Sequence, residues 1–208
     1  KIEDVKMVTL SGYASAKIKQ NFKVKDKIAI LYANGEIVMG NDSENIASAT
    51  YAKMISDIRK DSTIKAVLFR VNSPGGSAHA AEIIRNELTL LKEKKPIIVS
   101  YGGYAASGGY WISAGCDKIF TNNTTLTGSI GVFSMVPNVE KIMEDKLGIN
   151  TVAIKSNEHA DMMGLRRPLD NAEVAYMQNQ VEKIYSDFTQ IVADGRGMSV
   201  ERVDELAQ

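Results

Sequence analysis

Runs of aliphatic and β-branched residues alternate along this chain with segments whose apolar positions recur every three or four residues. KIAILYANG (27–35) reads as a strand closed by a turn, and IKAVLFRVN (64–72) as a near-continuous apolar strand buried on both faces. Between them Asn41, Asp42 and Ser43 offer caps for a helix whose inward face takes Ile46, Thr50, Ile55 and Ile58. GGSAHAAEIIRNELTLLKEK (75–94) predicts a helix with Ile84, Leu88 and Leu91 on one stripe. PIIVSY (96–101) is a strand, followed by a small-residue helix from about Ala106 to Ala114 and a short strand in KIFTNN (118–123). TGSIGVF (127–133) carries two glycines in an extended stretch, a sign of close backbone approach. Pro137 opens a helix through Leu147 that Gly148 ends, and 151–155 reads as a further strand. A long helix starts near Asp170, with Val174, Met177, Val181, Ile184, Phe188 and Ile191 at helical spacing, and Ser199 caps a last short one.

Strands alternating with helices predict an α/β architecture with parallel strands and right-handed crossovers. The 208 residues suit one domain, spanning 25–208, with 1–24 as an N-terminal arm or interdomain segment. Twenty-five basic side chains balance 25 acidic ones, so no electrostatic footprint for nucleic acid is present. Cys116 is the sole cysteine; no intrachain disulfide is possible, and its surroundings WISAGCDKIF describe a small buried hydrophobe. No apolar run reaches the 18 residues of a membrane span, and the first residue is Lys1, with no signal-peptide pattern after it. These residues leave room for a membrane anchor or a further domain outside them.

The chemistry concentrates in small residues. GGYAASGGYW (102–111) puts glycines, alanines and Ser107 where a buried helix start would prefer bulk. Either Ser107 is a nucleophile on a strand-to-helix corner, or the small residues form a tight packing seam. NSPGG (72–76) is a second such corner, either a plain connection or a source of bare amides for a developing oxyanion. Parallel sheets bring such corners to one edge, so one could supply the nucleophile and the other the oxyanion donors, a design for acyl transfer. The G-x-S-x-G elbow is not matched, because Ala105 occupies its first glycine. For a base the chain offers His79, His159 and Lys155, each of which also reads as an ordinary surface or packed side chain, and no triad follows. Two distant histidines and one cysteine make no metal-binding spacing, and the glycines match neither a P-loop nor a dinucleotide fingerprint; no cofactor or metal is expected. Met162, Met163 and Leu165 form an apolar loop patch that suits packing, a pocket lining or a partner contact.

NSPGG (72–76), YAASGGYW (104–111) and TGSIGV (127–132), taken together, resemble the signal peptide peptidase A family of serine–lysine peptidases. The resemblance runs from about Lys27 to the C-terminal helices and implies a ClpP/crotonase-like fold: stacked β-β-α units with parallel sheets and a C-terminal helical region. It implies Ser107 as nucleophile, amides of Gly76 and Gly108 as oxyanion hole, Gly75 as a shaper of the same turn, and Ser129 as the hydroxyl that positions the catalytic lysine. The lysine itself is missing. KSNEHAD (155–161) stands where single-domain members carry a K-S-G-x-Y-K-D-like segment, and Ala160 occupies the lysine position.

Long members of the family hold two tandem copies, with the serine in the C-terminal copy and the lysine in the N-terminal one. The resemblance thus implies a C-terminal copy that takes its base from a homologous N-terminal domain, in a homo-oligomer. Departures at Asn157 and His159 as well speak for natural specialisation over an engineered lysine-to-alanine change. The implied substrates are cleaved signal peptides and other apolar, membrane-associated peptides, on the extracytoplasmic side of a bacterial cell membrane. Two alternatives stand beside this: a catalytically inactive domain that shapes a substrate groove, and an acyl-CoA enzyme of the same fold, which the absence of a phosphate-binding cationic cluster opposes.

Overall fold

The structure is a computed structural model and describes residues 25–208; the arm expected over 1–24 lies outside the described residues. The elements are β1 (Lys27–Asn34), β2 (Ile37–Val38), β3 (Ile46–Ala47), α1 (Ser48–Lys60), β4 (Ile64–Ser73), α2 (Ala78–Lys92), β5 (Ile97–Ala106) and α3 (Gly108–Ser113). They continue with β6 (Lys118–Phe120), β7 (Leu126–Gly128), α4 (Asn171–Arg196) and α5 (Val200–Ala207). The main sheet runs β1-β4-β5-β6 with β7 also paired to β5, and β2 pairs β3 in a small second sheet. Every pairing is parallel. A parallel sheet with intervening helices and a helical C-terminal region is the architecture expected.

Strand β4 shows how the sequence builds the core. Val67, Phe69, Val71 and Ser73 alternate onto the helix-covered face and are all buried. Helix α2 lays Ala80, Ala81, Ile84, Leu88 and Leu91 against that core, and α1 adds Tyr51 and Ile55. Burying each large aliphatic side chain contributes ~1.5–3 kcal/mol, so this layer supplies most of the driving force. Lys95 is buried yet satisfied, its amine donating to the Ile58 carbonyl in the last turn of α1 and to the Asp61 carbonyl just past it.

Helix α4 starts on a capping box between Asp170 and Glu173 and stops at Gly197, whose φ of 65° ends it in the left-handed region. Its C-terminal half docks tightly. Phe188 and Trp111 meet with ring centroids 4.7 Å apart. Arg196 Nε donates to the Ala114 carbonyl at 2.9 Å, and its other nitrogen to Cys116 O. A Cβ placed on Gly195 would lie 2.2 Å from Ala114 O, so glycine is what permits this approach. By contrast, none of residues 117–172 is buried.

Local departures from the sequence expectation have physical reasons. The helix expected after Asn41 begins at Ser48; Asp42 instead caps a turn through the Glu44 and Asn45 amides, and Ile46 enters β3. The small-residue run 102–106 stays in β5, and the helix begins only at Gly108. Pro137 does not start a helix: helical winding begins at Glu140 and is π-wound over Ile142–Lys146. Residues 151–155 have no ladder partner among the described residues, and Val152 and Ile154 stand exposed. No helix among the described residues is long and apolar enough to cross a membrane.

Gly195→Ala is expected to lower stability by about 1–3 kcal/mol, because the new methyl meets backbone that cannot swing aside. Thermal denaturation of the variant checks this; an unchanged melting temperature would show that α4 is not docked as described.

Candidate active site

Ser107 stands alone between β5 and α3, with φ 50° and ψ −122°. A non-glycine residue in this region costs ~1–3 kcal/mol and persists only where its surroundings fix it. They do: Ser107 N donates to Gly128 O of β7 at 2.9 Å, and Ser107 O accepts from Tyr110 N and Trp111 N, both at 2.9 Å. With its backbone consumed, the half-buried residue makes no side-chain capping bond to α3.

The NSPGG corner lies directly against it. A Cβ on Gly75 would sit 2.7 Å from Gly108 N and 2.8 Å from the Ser107 Cβ, and Gly75 has φ 106°. The corner is held from the other side by Ile37, whose N–H donates to Gly75 O and whose carbonyl accepts from Ser77 N, both at 2.8 Å. In that parallel bridge the intervening Gly76 N–H points away from Ile37. The Gly108 N–H is the first of α3 and has no intrahelical acceptor. Neither amide donates to a protein acceptor among the described residues. A Cβ on Gly108 would lie 3.3 Å from Gly76 N, so the two amides flank one spot beside Ser107.

Ser107, Gly75, Gly76 and Ser129 line one cleft of about 670 Å³ with Glu36, Pro74 and Gly131–Phe133. An adjoining pocket of about 250 Å³ reaches from Ser107 and Gly108 to Ala78, Trp111, Phe133 and Phe188. The sequence-selected residues Ser107, Gly75, Gly76, Gly108 and Ser129 therefore meet in one place. Ser129 shares the cleft at φ 49°, again a strained non-glycine position.

The base candidates are elsewhere. Among the described residues, neither a lysine nor a histidine lines either space; the one ionisable side chain is Glu36. His79 is exposed in the first turn of α2. His159 Nδ1 lies 3.0 Å from Glu173 Oε1, and Lys155 donates to Glu158 O at 2.9 Å. Lys155, Ala160 and Asp161 line a separate cavity of about 690 Å³ that shares no residue with the Ser107 cleft. Cys116 is a buried thiol whose pKa burial pushes up to about 12, leaving it unreactive.

His159, Asp170 and Glu173 bring ligand-type atoms within 4.8 Å of one another, but the group does not suit a cation. Both Glu173 oxygens already accept from the Arg167 guanidinium, at 2.6 and 2.7 Å, and the Asp170 amide adds a bond of 3.0 Å. The network, extended by Arg167 to Asp161 at 2.7 Å, latches loop 155–170 to the start of α4.

Sequence reasoning missed Ile37, whose bridge fixes the Gly75–Gly76 corner, and the Trp111–Phe188 wall of the side pocket. The indole and phenyl rings carried helical-core signatures indistinguishable from plain packing. Ile37 sits in a two-residue strand too short to show a period.

Comparison with known proteins agrees with the geometry. Residues 89–208 match the family "Peptidase family S49", and residues 19–126 match "Clp protease". "Protease 4" of Haemophilus influenzae is 42% identical over 191 residues, covering 91% of this chain and 31% of that protein. "Protease 4" of Salmonella typhi is 40% identical over 199 residues, covering 95% and 32%. The "Serine protease SPPA, chloroplastic" of Arabidopsis thaliana is 34% identical over 190 residues, covering 88% and 28%. The chain thus spans about a third of the length of these curated relatives. A solved structure of a ClpP1 point mutant from Listeria monocytogenes superposes with a TM-score of 0.56 at 15% identity, covering 85% of this chain and 77% of that one. The fold is ClpP/crotonase-like.

The latch predicts a pH window. Arg167 holds Asp161 down at about 2 and keeps Glu173 well below its ordinary 4.5, so their contribution is present above those ordinary values and lost as pH falls through the lowered ones. Bonding to Glu173 raises His159 above 6.5, so its contribution is complete below 6.5 and lost as pH rises through the raised value. Amide exchange in 155–170, corrected for intrinsic rate, is expected to be slowest between pH 4.5 and 6.5. Equal protection from that window up to pH 9 would contradict it.

Proposed function

The chain belongs to peptidase family S49, and on that premise we propose that it is a serine endopeptidase domain whose nucleophile is Ser107 and whose general base is a lysine from another copy of the fold. The observation that carries the reading is Ser107 at φ 50° beside two amides, of Gly76 and Gly108, that have no protein acceptor. A packing seam explains small residues; it does not explain a strained serine facing bare donors.

In the proposed mechanism a neutral, desolvated lysine amine takes the Ser107 Oγ proton while Oγ bonds to the substrate carbonyl carbon. The carbonyl oxygen becomes an oxyanion received by the Gly76 and Gly108 amides, where each donor contributes about 2.7–4 kcal/mol in comparable sites. The C–N bond then breaks and the lysine returns its proton to the leaving amine. Water, deprotonated by the same lysine, attacks the acyl ester and restores the Ser107 hydroxyl. Ser129, on the rim of the same cleft, is proposed to hold the incoming amine by its hydroxyl.

Two features support an extended, apolar peptide as substrate. Along residues 131–138, of which Gly131, Val132 and Phe133 line the spaces beside Ser107, no main-chain amide donates to backbone among the described residues, leaving an edge for a peptide strand. The side pocket, walled by Ala78, Trp111, Phe133 and Phe188, suits a small apolar side chain. Cleaved signal peptides fit that description, and we place the domain accordingly on the extracytoplasmic side of a bacterial membrane.

Supply of the base from outside is favoured by Ala160 in its separate cavity and by residues 117–172, none of which is buried. So much chain without a core needs neighbouring surface to cover it. Phe133, Met135, Val152 and Ile154 are each more than three-quarters exposed there. A tandem N-terminal domain within a homo-oligomer would provide both lysine and cover. The lack of a base among the cleft residues also suits a second reading, a groove domain without catalysis.

Residues 1–208 alone are expected to show negligible peptidase turnover, whereas the full-length assembly cleaves apolar peptides. In the assembly, Ser107→Ala should lower kcat by at least about a thousandfold. Cleavage that survives this substitution would exclude Ser107, and a full-length assembly inert to both peptides and serine-directed reagents would favour the non-catalytic groove.

A further inference from the structure

Strands β4 and β5 pair evenly as far as Val71 and Tyr101, and pairing resumes at Ser73 and Ala105. Four steps of β5 therefore face two of β4, leaving a bulge at Gly102, Gly103 and Tyr104. The polar groups of this bulge are taken up by side chains. Asn72 Oδ1 accepts from Gly103 N at 2.9 Å and from Tyr104 N at 3.1 Å. Thr125 Oγ1 donates to Gly102 O and Thr127 Oγ1 to Ala105 O, both at 2.8 Å. A Cβ on Gly102 would fall 2.5 Å from Asn72 Oδ1 and 2.8 Å from its Cβ and Cγ, so glycine there makes room for the carboxamide.

We propose that Asn72 is a positioning residue for Ser107, setting by this clamp how far β5 runs before the nucleophile corner. The inference rests on Ser107 being the nucleophile. Asn72 lies just before the Ser73–Gly76 corner, and its side chain grips β5 just before Ser107. One residue thereby references the serine corner to the oxyanion corner. Two extra residues at ~3.3 Å each amount to ~6–7 Å of strand, so losing the bulge would carry Ser107, together with the Gly108 amide, out of register with the Gly76 amide. Asn72 also holds the end of β1, its carbonyl accepting from Gly35 N at 3.1 Å, so its backbone is fixed independently of its side chain.

The clamp uses Asn72 as an acceptor in both bonds, which makes the conservative substitution informative. In the full-length assembly, Asn72→Ala is expected to slow labelling of Ser107 by a fluorophosphonate and to lower kcat by about a hundredfold, the cost of an ångström-scale misplacement. KM for an apolar peptide stays the same. Asn72→Asp, which keeps the acceptor, should retain activity and labelling. Gly102→Ala, which displaces the carboxamide while leaving Asn72 in place, should reproduce the loss. Amide exchange at Gly103 and Tyr104 should accelerate in Asn72→Ala and Gly102→Ala and stay slow in Asn72→Asp. Unchanged exchange in Asn72→Ala would overturn the clamp; accelerated exchange with unchanged labelling would overturn the positioning role. If native protein is not labelled at Ser107, the nucleophile assignment fails and Asn72 is reduced to a structural clamp, which the exchange data report separately.

Discussion

The site depends on one contact: the α-carbon of Gly75 pressed against Ser107 and the Gly108 amide, with no room for a methyl group between them. This approach converts two ordinary strand-to-helix corners into one constellation. Side chains could not achieve it, because any Cβ at Gly75 would strike backbone and would also have to adopt φ 106°. The same economy recurs at Gly109, where a Cβ would meet Ser73 O at 2.8 Å, and at Gly76, where it would meet Ile37 O at 2.2 Å. Oxyanion donors are effective when they are fixed before charge develops, and backbone amides locked by bridges on either side need no reorganisation.

Around this rigid centre the molecule divides in two. Residues 27–116 and the C-terminal part of α4 carry nearly all the buried apolar surface. The intervening residues 117–172 contribute no buried side chain, yet they supply Ser129 and Phe133 to the cleft. On the proposed reading, the core carries Ser107 and its oxyanion donors complete, and residues 117–172 form an unfinished wall where the base would enter. On the same proposed reading, a neighbouring copy would supply both the base and cover for the exposed apolar residues of that wall.

Much of this was legible in the chain. The IKAVLFRVN run announced a parallel strand, although only one of the two faces expected to be buried is so, at Val67, Phe69 and Val71; the 84/88/91 stripe announced α2, and the two glycine-rich corners pointed to one sheet edge. The bulge was not legible. Residues 102–104 read only as the small-residue approach to a helix from about Ala106, whereas they continue β5, with Asn72, about thirty residues earlier, accepting from the Gly103 and Tyr104 amides in place of ladder bonds. Likewise 151–155 has the alternation of a strand but no partner among the described residues, since sequence pattern reports propensity and not pairing. Capping by Asp42 was anticipated for a helix and serves a turn, because its carboxylate reaches amides two and three residues on.

On the proposed reading, the Gly76 and Gly108 amides await the oxyanion formed when Ser107 attacks. A crystal structure of the full-length assembly carrying a peptidyl phosphonate on Ser107 tests it most directly. The expected adduct has a phosphonyl oxygen within hydrogen-bonding distance of both amides, the peptide paired along 131–138, and a lysine amine from another copy near Ser129. An adduct whose phosphonyl oxygen points to solvent, with those two amides bonded to other groups, would contradict it.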